Sequence, residues 1–496
     1  MSKLLLTSTL FFSLVIVQFH SAHARLNTIT GGISVNYDYD ETVYDTEYDT
    51  TDTTELTSTR DNSYLKKFSI APLFIYETKS SIDNLTIRFN PSLSYDQEES
   101  QSNIDHNFRI SAFRKFTNRL RFDLSDSFIY SDDPELIEDD NSSDYNKGRK
   151  RYWTNDFILS SKYAYAANSS VGGGYAYRIL RNDYTGIGGY EDYDKHTVNI
   201  SLLHRFNKSW NIDLYTSYTR GLFDPPNQEL VERVENGLEN TSPGITDDIN
   251  TNNLSNDLSE YRATTAVNWI FTQNKIFSAT HSYTGSNYDA LLRNDTNLHN
   301  LTFGAQYKPS KRFSFGLGGG PSYEKTETFD RNWDYNAHLN LDYALSKKSN
   351  ISAGVEKSYD IQNFSQNNNS LGKDEGLTAF WKWQIKLSHK FTPDLNASLW
   401  ASYRDEQQES ILYGLANTTA TNADLNTIDS DTLREETVYN RQIYEAGGSL
   451  KYSFLQWYTT SLRYTYRQQS SDVINDSYDE HRVFLTLSVQ KELLRW

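Results

Sequence analysis

The sequence contains no cysteine, one methionine and only nine prolines in 496 residues. Without cysteine, the chain forms no disulfide, attaches no c-type haem, offers no thiolate to a metal and carries no lipid on a thiol. Long apolar runs are also scarce, because 37% of the residues are hydrophobic and the mean hydropathy is −0.70. This composition excludes a bundle of membrane-spanning helices, since each of these needs about 20 consecutive apolar residues.

One continuous apolar run is present, from Leu4 to Val17. A lysine precedes it and two small residues, Ala22 and Ala24, follow it, which is the pattern of a cleavable export signal. A membrane anchor is the alternative, but the run is shorter than the ~20 residues that span a bilayer. We therefore predict cleavage after Ala24. The predicted domains are a signal peptide, residues 1–24, and one further domain, residues 25–496.

Positive charge is in the minority, with 48 Lys and Arg against 65 Asp and Glu and a net charge of −17. This sign argues against nucleic acid as a partner, because phosphate recognition needs a basic surface. Much of the acid lies in two polar stretches, near residues 42–62 and 131–150, which we interpret as surface loops. Their carboxylates are either solvated or hold divalent cations that bridge to lipopolysaccharide phosphates.

The clearest pattern is a hairpin over residues 195–220. Val198, Ile200 and Leu202 alternate with polar residues, and after a short turn the alternation resumes from Trp210. Each arm has about ten residues, the length with which a tilted strand crosses a bilayer. Apolar side chains toward lipid and polar side chains toward the interior are typical of a transmembrane β-barrel.

The rest of the chain repeats this unit. The 36 Tyr, 25 Phe and 9 Trp often stand at the ends of the alternating runs, where they would form two aromatic girdles. Short turns alternate with long polar loops, which predicts an all-β, up-and-down antiparallel barrel of about 20 strands (18–22), with both termini periplasmic. Pro72 and Pro91 predict bulges or weakened pairing. Short turns are expected near residues 79, 117, 167, 207, 273, 309, 347, 393 and 455.

The polar faces predict an interior rich in small polar residues, with cations clustered on the later strands. If the last strand pairs with the first, these cations form a basic wall, which would favour anionic or polyhydroxylated solutes. A smaller group lies at Arg88, Arg109 and Arg121. The predicted basic wall comprises Lys382, Lys386, Lys390, Arg404, Lys451, Arg463, Arg467 and Arg482.

The alternative interpretation is that these cations are ordinary interior charges. Acidic residues on the same polar faces would then offset them without any role for a solute. The candidate counter-charges are Asp213, Asp334, Asp342, Glu356 and Glu445.

The last strand is predicted to carry a signal for the outer-membrane assembly machinery. An apolar stripe, Val483, Leu485, Leu487 and Val489, leads to Trp496. Two charged residues interrupt the stripe and leave Trp496 out of phase with it. The sequence therefore predicts a bulge near this end.

Residues 93–135 carry a family resemblance. They combine paired strands, an arginine-bearing turn and a loop that begins with Ser131 to Glu135. The stretch resembles outer-membrane proteins of the β-barrel porin 2 type, and similar hairpins cover most of the chain. The resemblance implies a barrel from a family associated with surface-polysaccharide systems, and it implies no catalytic residues.

Enzymatic chemistry finds no support in the motifs. His281 and Ser282 are neighbours in a predicted strand and so point to opposite faces; we place His281, with His204 and His389, in an interface belt. The glycine runs at 172–174 and 318–320 lie within strands rather than before helices, where they would cradle phosphate. We predict no enzyme activity and no cofactor.

These patterns predict a porin-like channel in the bacterial outer membrane for polar or anionic solutes, and the family resemblance implies a link to surface or exopolysaccharide export. The expected partners are outer-membrane lipid and lipopolysaccharide, the barrel assembly machinery, and a polysaccharide or its export proteins. The alternatives are a non-conducting structural or adhesive barrel and a sheath for a periplasmic complex. If the pore is narrowed, we expect the loop at 221–259 or 405–436 to fold inward.

Overall fold

A computed structural model describes most of the chain. It covers residues 25–48, 57–131, 151–183, 192–223, 257–289, 295–326, 333–362, 368–369, 372–373, 376–413, 434–472 and 477–496. The predicted signal peptide lies outside these residues. Within them, no helix is long and apolar enough to cross a membrane.

One closed antiparallel sheet contains 21 strand segments, two of which form a single interrupted strand, so the barrel has 20 strands. A two-residue hairpin, Asn368–Asn369 with Gly372–Lys373, stands apart from it. The strands are β1 Leu26–Tyr48, β2 Thr57–Lys79, β3 Asp83–Phe89 with Ser92–Asp96, β4 Gln101–Lys115, β5 Leu120–Ser131, β6 Tyr152–Ala166, β7 Ser169–Asn182, β8 Tyr193–Arg205, β9 Trp210–Phe223 and β10 Leu258–Thr272. The remaining strands are β11 Lys275–Tyr288, β12 Thr296–Tyr307, β13 Phe313–Thr326, β14 Asp334–Tyr343, β15 Ser349–Gln362, β16 Gly376–Lys390, β17 Leu395–Tyr413, β18 Arg434–Phe454, β19 Tyr458–Ser471 and β20 Tyr478–Arg495.

Each strand pairs with the next along the chain, and β20 pairs with β1 to close the barrel. The connections alternate between short turns and longer loops, as predicted. The start of β1 and the end of β20 therefore lie on the side of the short turns. The predicted up-and-down barrel of 20 strands is confirmed. We call the two ends of the barrel the turn side and the loop side.

The two faces of each strand differ in the way that the hairpin at residues 195–220 predicts. Val198, Ile200 and Leu202 on β8 lie opposite Tyr218, Thr216 and Leu214 on β9, and the side chains of Val198 and Ile200 are 51% and 56% exposed. The alternate residues Ser217 and Thr219 point inward and are buried. Because side chains alternate along a strand, the registers extend this assignment from strand to strand around the barrel.

Aromatic residues form two rings on the outer face. On β9 and β10, Trp210 stacks with Trp269 on the turn side, and Tyr218 contacts Tyr261 on the loop side. The eight steps from Trp210 to Tyr218 span ~27 Å along the strand, or ~21 Å along the barrel axis at a tilt of about 40°. This spacing suits the ~25 Å apolar band of a membrane β-barrel.

Histidines belong to the same rings. His204 packs against Tyr165 and Phe206 on the turn side, where His389 also contacts Phe391. His281 lies beside His299 on the outward face, with 3.4 Å between ring nitrogens. The positions of His204 and His389 agree with the predicted interface belt, whereas His281 pairs with Thr265, midway between Trp269 and Tyr261.

Two prolines weaken the pairing of β2 with β3. Phe74 pairs with Phe89 and Ile70 with Leu93, and this constant register places Pro72 directly opposite Pro91. Neither proline has an N–H to donate, so the ladder is interrupted on both strands at one place. The predicted weakened pairing is therefore confined to a single gap.

The predicted bulge near Trp496 is present. Ile29 pairs with Leu494 while Thr30 pairs with Glu492, which leaves Leu493 as the extra residue on β20. One extra residue reverses the alternation beyond it. Trp496 therefore returns to the outward face of the apolar stripe, and its backbone exchanges two hydrogen bonds with Asn27, of 2.9 and 3.1 Å.

Two predicted loops are shorter than expected because strands continue into them. β1 and β2 pair as far as Tyr48 with Thr57, so much of the acidic stretch at 42–62 is a hairpin. β17 and β18 pair as far as Tyr413 with Arg434, inside the range predicted as a loop at 405–436. Threonine, valine and tyrosine favour strands and outweigh the acidic residues between them.

Candidate functional site on the inner wall of the barrel

The predicted basic residues lie on one connected part of the inner wall. In the register, Lys382 pairs with Arg404, and Lys386 with Trp400. Across β18 and β19, Lys451 lies opposite Asn396 and Arg463 opposite Ser449. All eight residues of the predicted wall occupy inward positions on β16 to β20, because each alternates with the outward apolar set.

The wall divides into two parts that differ in exposure. Four cations on the turn side are exposed, and in the part of the chain that the structure describes none of them forms an ion pair. Open, unneutralised cations on a concave surface attract anions. These four residues are Lys386, Lys390, Lys451 and Arg463.

On the loop side Arg404 and Arg467 are buried, Arg482 is held in an ion pair, and Lys382 is half-buried opposite Glu356. Glu406 has 1% of its surface exposed and binds two arginines: Nε of Arg404 lies 2.5 Å from one carboxylate oxygen, and Nη1 of Arg441 lies 3.3 Å from the other. The guanidinium of Arg404 also lies 4.1 Å from the ring centroid of Phe380. The two arginines share the single carboxylate of Glu406 in this buried cluster, so Arg404 belongs to a packed ionic network and is not an open anion site.

A third ion pair joins the first and last strands. Arg482 on β20 donates to both carboxylate oxygens of Asp38 on β1, at 2.9 and 2.7 Å. Asp38 is 6% exposed. A two-pronged hydrogen-bonded pair of this kind fixes geometry as well as charge, so Arg482 serves the closing contact of the barrel.

The smaller cationic group lies elsewhere on the inner wall. Arg88 and Arg109 are directly opposite each other on β3 and β4, an arrangement of like charges that is unfavourable without an anion. Arg121 lies 4.2 Å over the ring of Phe113 and donates to Asp123. A recess of about 340 Å³ at this place is lined by Asn84, Ser111, Phe113, Arg121, Asp123 and Ser160, among others.

The five acidic residues predicted to offset the basic wall have different partners. Glu356 lies opposite Lys382, and Glu445 lies opposite Arg467 and accepts a hydrogen bond from Trp400. Asp334 binds Lys357 instead, and Asp342 accepts a hydrogen bond from Ser314. Asp213 is exposed.

Sequence reasoning missed three important inner residues. Glu406 and its partner Arg441 were overlooked because the strands there were expected to be a loop. Trp400 was overlooked although Leu399 and Ala401, its neighbours, belong to the outward set of β17 and so place it inward. That signal was available in the alternation.

The structure also locates the glycine runs and shows which predicted loops it describes. The glycine runs lie within β7 and β13, as expected. Among the described residues, no group of three or more histidines and acidic residues could hold a metal ion. The expected inward-folding loop at 221–259 and the acidic loop at 131–150 lie mostly outside the described residues.

No family model and no curated protein matches this chain. Solved structures do match it. The FrpB iron transporter from Neisseria meningitidis aligns with a TM-score of 0.50 at 8% identity, over 93% of this chain and 82% of that one. OpdQ from Pseudomonas aeruginosa aligns with a TM-score of 0.39 at 11% identity (94% and 98% covered), and OccAB3 from Acinetobacter baumannii with 0.38 at 9% (93% and 99% covered).

The likeness to the FrpB transporter shows a shared barrel fold and nothing about the solute. The resemblance to the β-barrel porin 2 type remains a prediction, since no family model supports it.

Proposed function

We propose that the protein is a porin-like channel of the bacterial outer membrane that passes polar and anionic solutes. The observation that carries this proposal is the group of open cations at Lys386, Lys390, Lys451 and Arg463, on the exposed part of an inner wall. A barrel of 20 strands lies between the 16–18-stranded porins that leave an aqueous channel and the 22-stranded transporters that are plugged. The two aromatic rings support a place in the membrane.

The test is single-channel recording of the refolded protein in planar bilayers under a KCl gradient. We expect stable conductance with anion preference. The double variant Lys386→Gln/Lys451→Gln should shift the reversal potential toward zero or toward cations, because it removes two open charges. Lys325→Gln is the matched control, since Lys325 is an exposed cation on the outward face of β13. Conductance with cation preference in the native protein would contradict the proposal.

A second candidate function is a non-conducting structural or adhesive barrel, or a sheath for a periplasmic complex. The observation that favours it is the burial of inward side chains on the loop side, where Ser131, Leu258, Ser286, Ser322 and Thr378 have no exposed surface. Absence of conductance from correctly folded protein would favour this candidate. Co-purification of a periplasmic partner would then point to the sheath.

The link to polysaccharide export and the partners predicted from the sequence are part of this proposal. Outer-membrane lipid, lipopolysaccharide and the barrel assembly machinery follow from a barrel location in that membrane, and Val483, Leu485, Leu487, Val489 and Trp496 are the proposed assembly signal. Cleavage after Ala24, in the small-residue motif that includes Ala22, is the proposed processing that accompanies export.

A further inference from the structure

Trp400 differs from the other tryptophans that lie in strands. Trp153, Trp210, Trp269, Trp381 and Trp383 share the outward face with the apolar residues, whereas Trp400 on β17 occupies an inward position. A large apolar ring in a polar, solvent-lined interior gains nothing from lipid. Its position calls for another explanation, either packing or a ligand.

The indole is held from several sides. Directly opposite it on β18 is Gly447, where an added Cβ would lie 2.6 Å from Cε2 of Trp400, so only glycine leaves room for the ring against the wall. Nε1 donates to Oε1 of Glu445 at 2.9 Å, and the guanidinium of Arg463 lies 5.1 Å from the ring. The ring is thus fixed in orientation before any solute arrives.

The groups around the ring are polar: two of them are cations, and the carboxylate of Glu445 is occupied by the indole N–H. Lys386 pairs directly with Trp400 in the register, and both Lys386 and Arg463 are exposed. Ser402 and Gln384 are the next inward pair on the same two strands. The site therefore offers one apolar face, two cations and short hydrogen-bonding groups.

We propose that Trp400, Arg463 and Lys386 form a binding site for an acidic saccharide on the inner wall. One face of a pyranose ring presents C–H groups that pack on an aromatic ring, and its rim presents hydroxyls for the serine and glutamine. A sugar carboxylate would bind Arg463, whose planar fork matches it, with Lys386 as a second charge. This site deepens the proposed channel function and rests on it for its role in transport.

Binding can be measured without conductance, which separates the two proposals. The folded protein in detergent is titrated calorimetrically with trigalacturonate, and maltotriose serves as the neutral probe. We expect trigalacturonate to bind more tightly than maltotriose. Trp400→Ala should raise the Kd for both trisaccharides by about tenfold or more. Trp400→Phe keeps a ring, so its Kd for each should stay within about threefold of the native value.

Arg463→Gln should weaken the binding of trigalacturonate by about tenfold and leave the affinity for maltotriose unchanged. Trp383→Ala is the matched control, since Trp383 is 51% exposed on the outward face of β16. Folding of each variant is checked by heat-modifiable mobility in gels. A folded Trp400→Ala variant with native affinity for trigalacturonate would overturn the site.

The combined outcomes distinguish the failures. Binding that depends on Trp400 in a protein without conductance supports the site and contradicts the channel. Conductance without binding of trigalacturonate supports the channel and contradicts the site. Equal affinity for the acidic and neutral trisaccharides contradicts the proposed acidic ligand.

Discussion

At the scale of single residues, the ionic cluster around Glu406 combines burial with pairing. Its carboxylate lies between Arg404 and Arg441, and all three side chains are at most 10% exposed. A buried charge is tolerated only with a partner, and removing one member leaves the others uncompensated. The cluster is therefore a point where one substitution affects the whole loop-side interior.

We expect Glu406→Gln to lower the free energy of unfolding by about 3–5 kcal/mol, because two buried arginines lose their counter-charge. The measurement is urea-induced unfolding of the protein refolded into lipid vesicles. Glu356→Gln is the matched control, since Glu356 is an exposed inward acid and should cost at most about 1 kcal/mol. Adding Arg441→Met to Glu406→Gln should restore part of the loss; no recovery would argue against the charge explanation.

The residue scale also shows where prediction from sequence succeeded. Alternation assigned the apolar stripe and the basic wall to opposite faces, because side-chain direction in a strand follows position alone. It could not tell that Arg404 is buried and Lys386 open, since exposure depends on depth along the barrel and on Glu406. Glu406, the partner of Arg404 two positions along the same strand, was hidden by the prediction of a loop at 405–436.

At the scale of elements, two adjacent glycines of β1 lie against β20. An added Cβ at Gly32 would lie 2.7 Å from the backbone oxygen of Val489, whereas one at Gly31 would lie 2.8 Å from the end of the Leu493 side chain. A backbone oxygen in a paired strand cannot move away, but the tip of a leucine can rotate. The two positions therefore differ in tolerance although they are neighbours.

We expect Gly32→Ala to destabilise the barrel by about 1–3 kcal/mol and to lower the yield of folded protein, because β20 must shift away from β1. Gly31→Ala, the matched control, should stay within about 0.5 kcal/mol of the native protein. The folded fraction after refolding, read from heat-modifiable mobility in gels, checks both. Equal effects of the two variants would contradict the close approach at Val489.

The elements themselves were largely predictable. Strand number and turn positions followed from alternation and turn spacing, and the bulge followed from the misplaced Trp496. The extent of β1, β2, β17 and β18 did not, because the paired strands continue beyond the length that a membrane requires and acidic composition was interpreted as loop.

At the scale of the whole molecule, the inner wall is electrostatically uneven. Exposed cations occupy the turn side, whereas the ion pairs of Glu406 and Asp38 on the loop side are buried. Open charges act through solvent and are screened by salt, with a Debye length of about 10 Å at 0.1 M and about 3 Å at 1 M.

For the proposed channel, we expect the anion preference to fall as KCl is raised from about 0.1 M to about 1 M. Reversal potentials measured at a fixed gradient ratio across this range check the prediction. The variant Lys386→Gln/Lys451→Gln should show a weaker dependence on salt, because fewer open charges remain to be screened. If the anion selectivity does not change with ionic strength, it arises from the buried ion pairs and not from the open cations.

The pairing of β1 with β20 also sets an order in time. Asp38 and Arg482, which bridge these strands, are 444 positions apart in the chain. Nearly all of the barrel strands must therefore be available for pairing before this contact can form. Until then, the unpaired edges of β1 and β20 present unsatisfied backbone groups. Such distant contacts are slow to find. Formation of the Asp38–Arg482 pair would consequently mark the last step of folding, and a chain stalled before Arg482 would remain an open sheet.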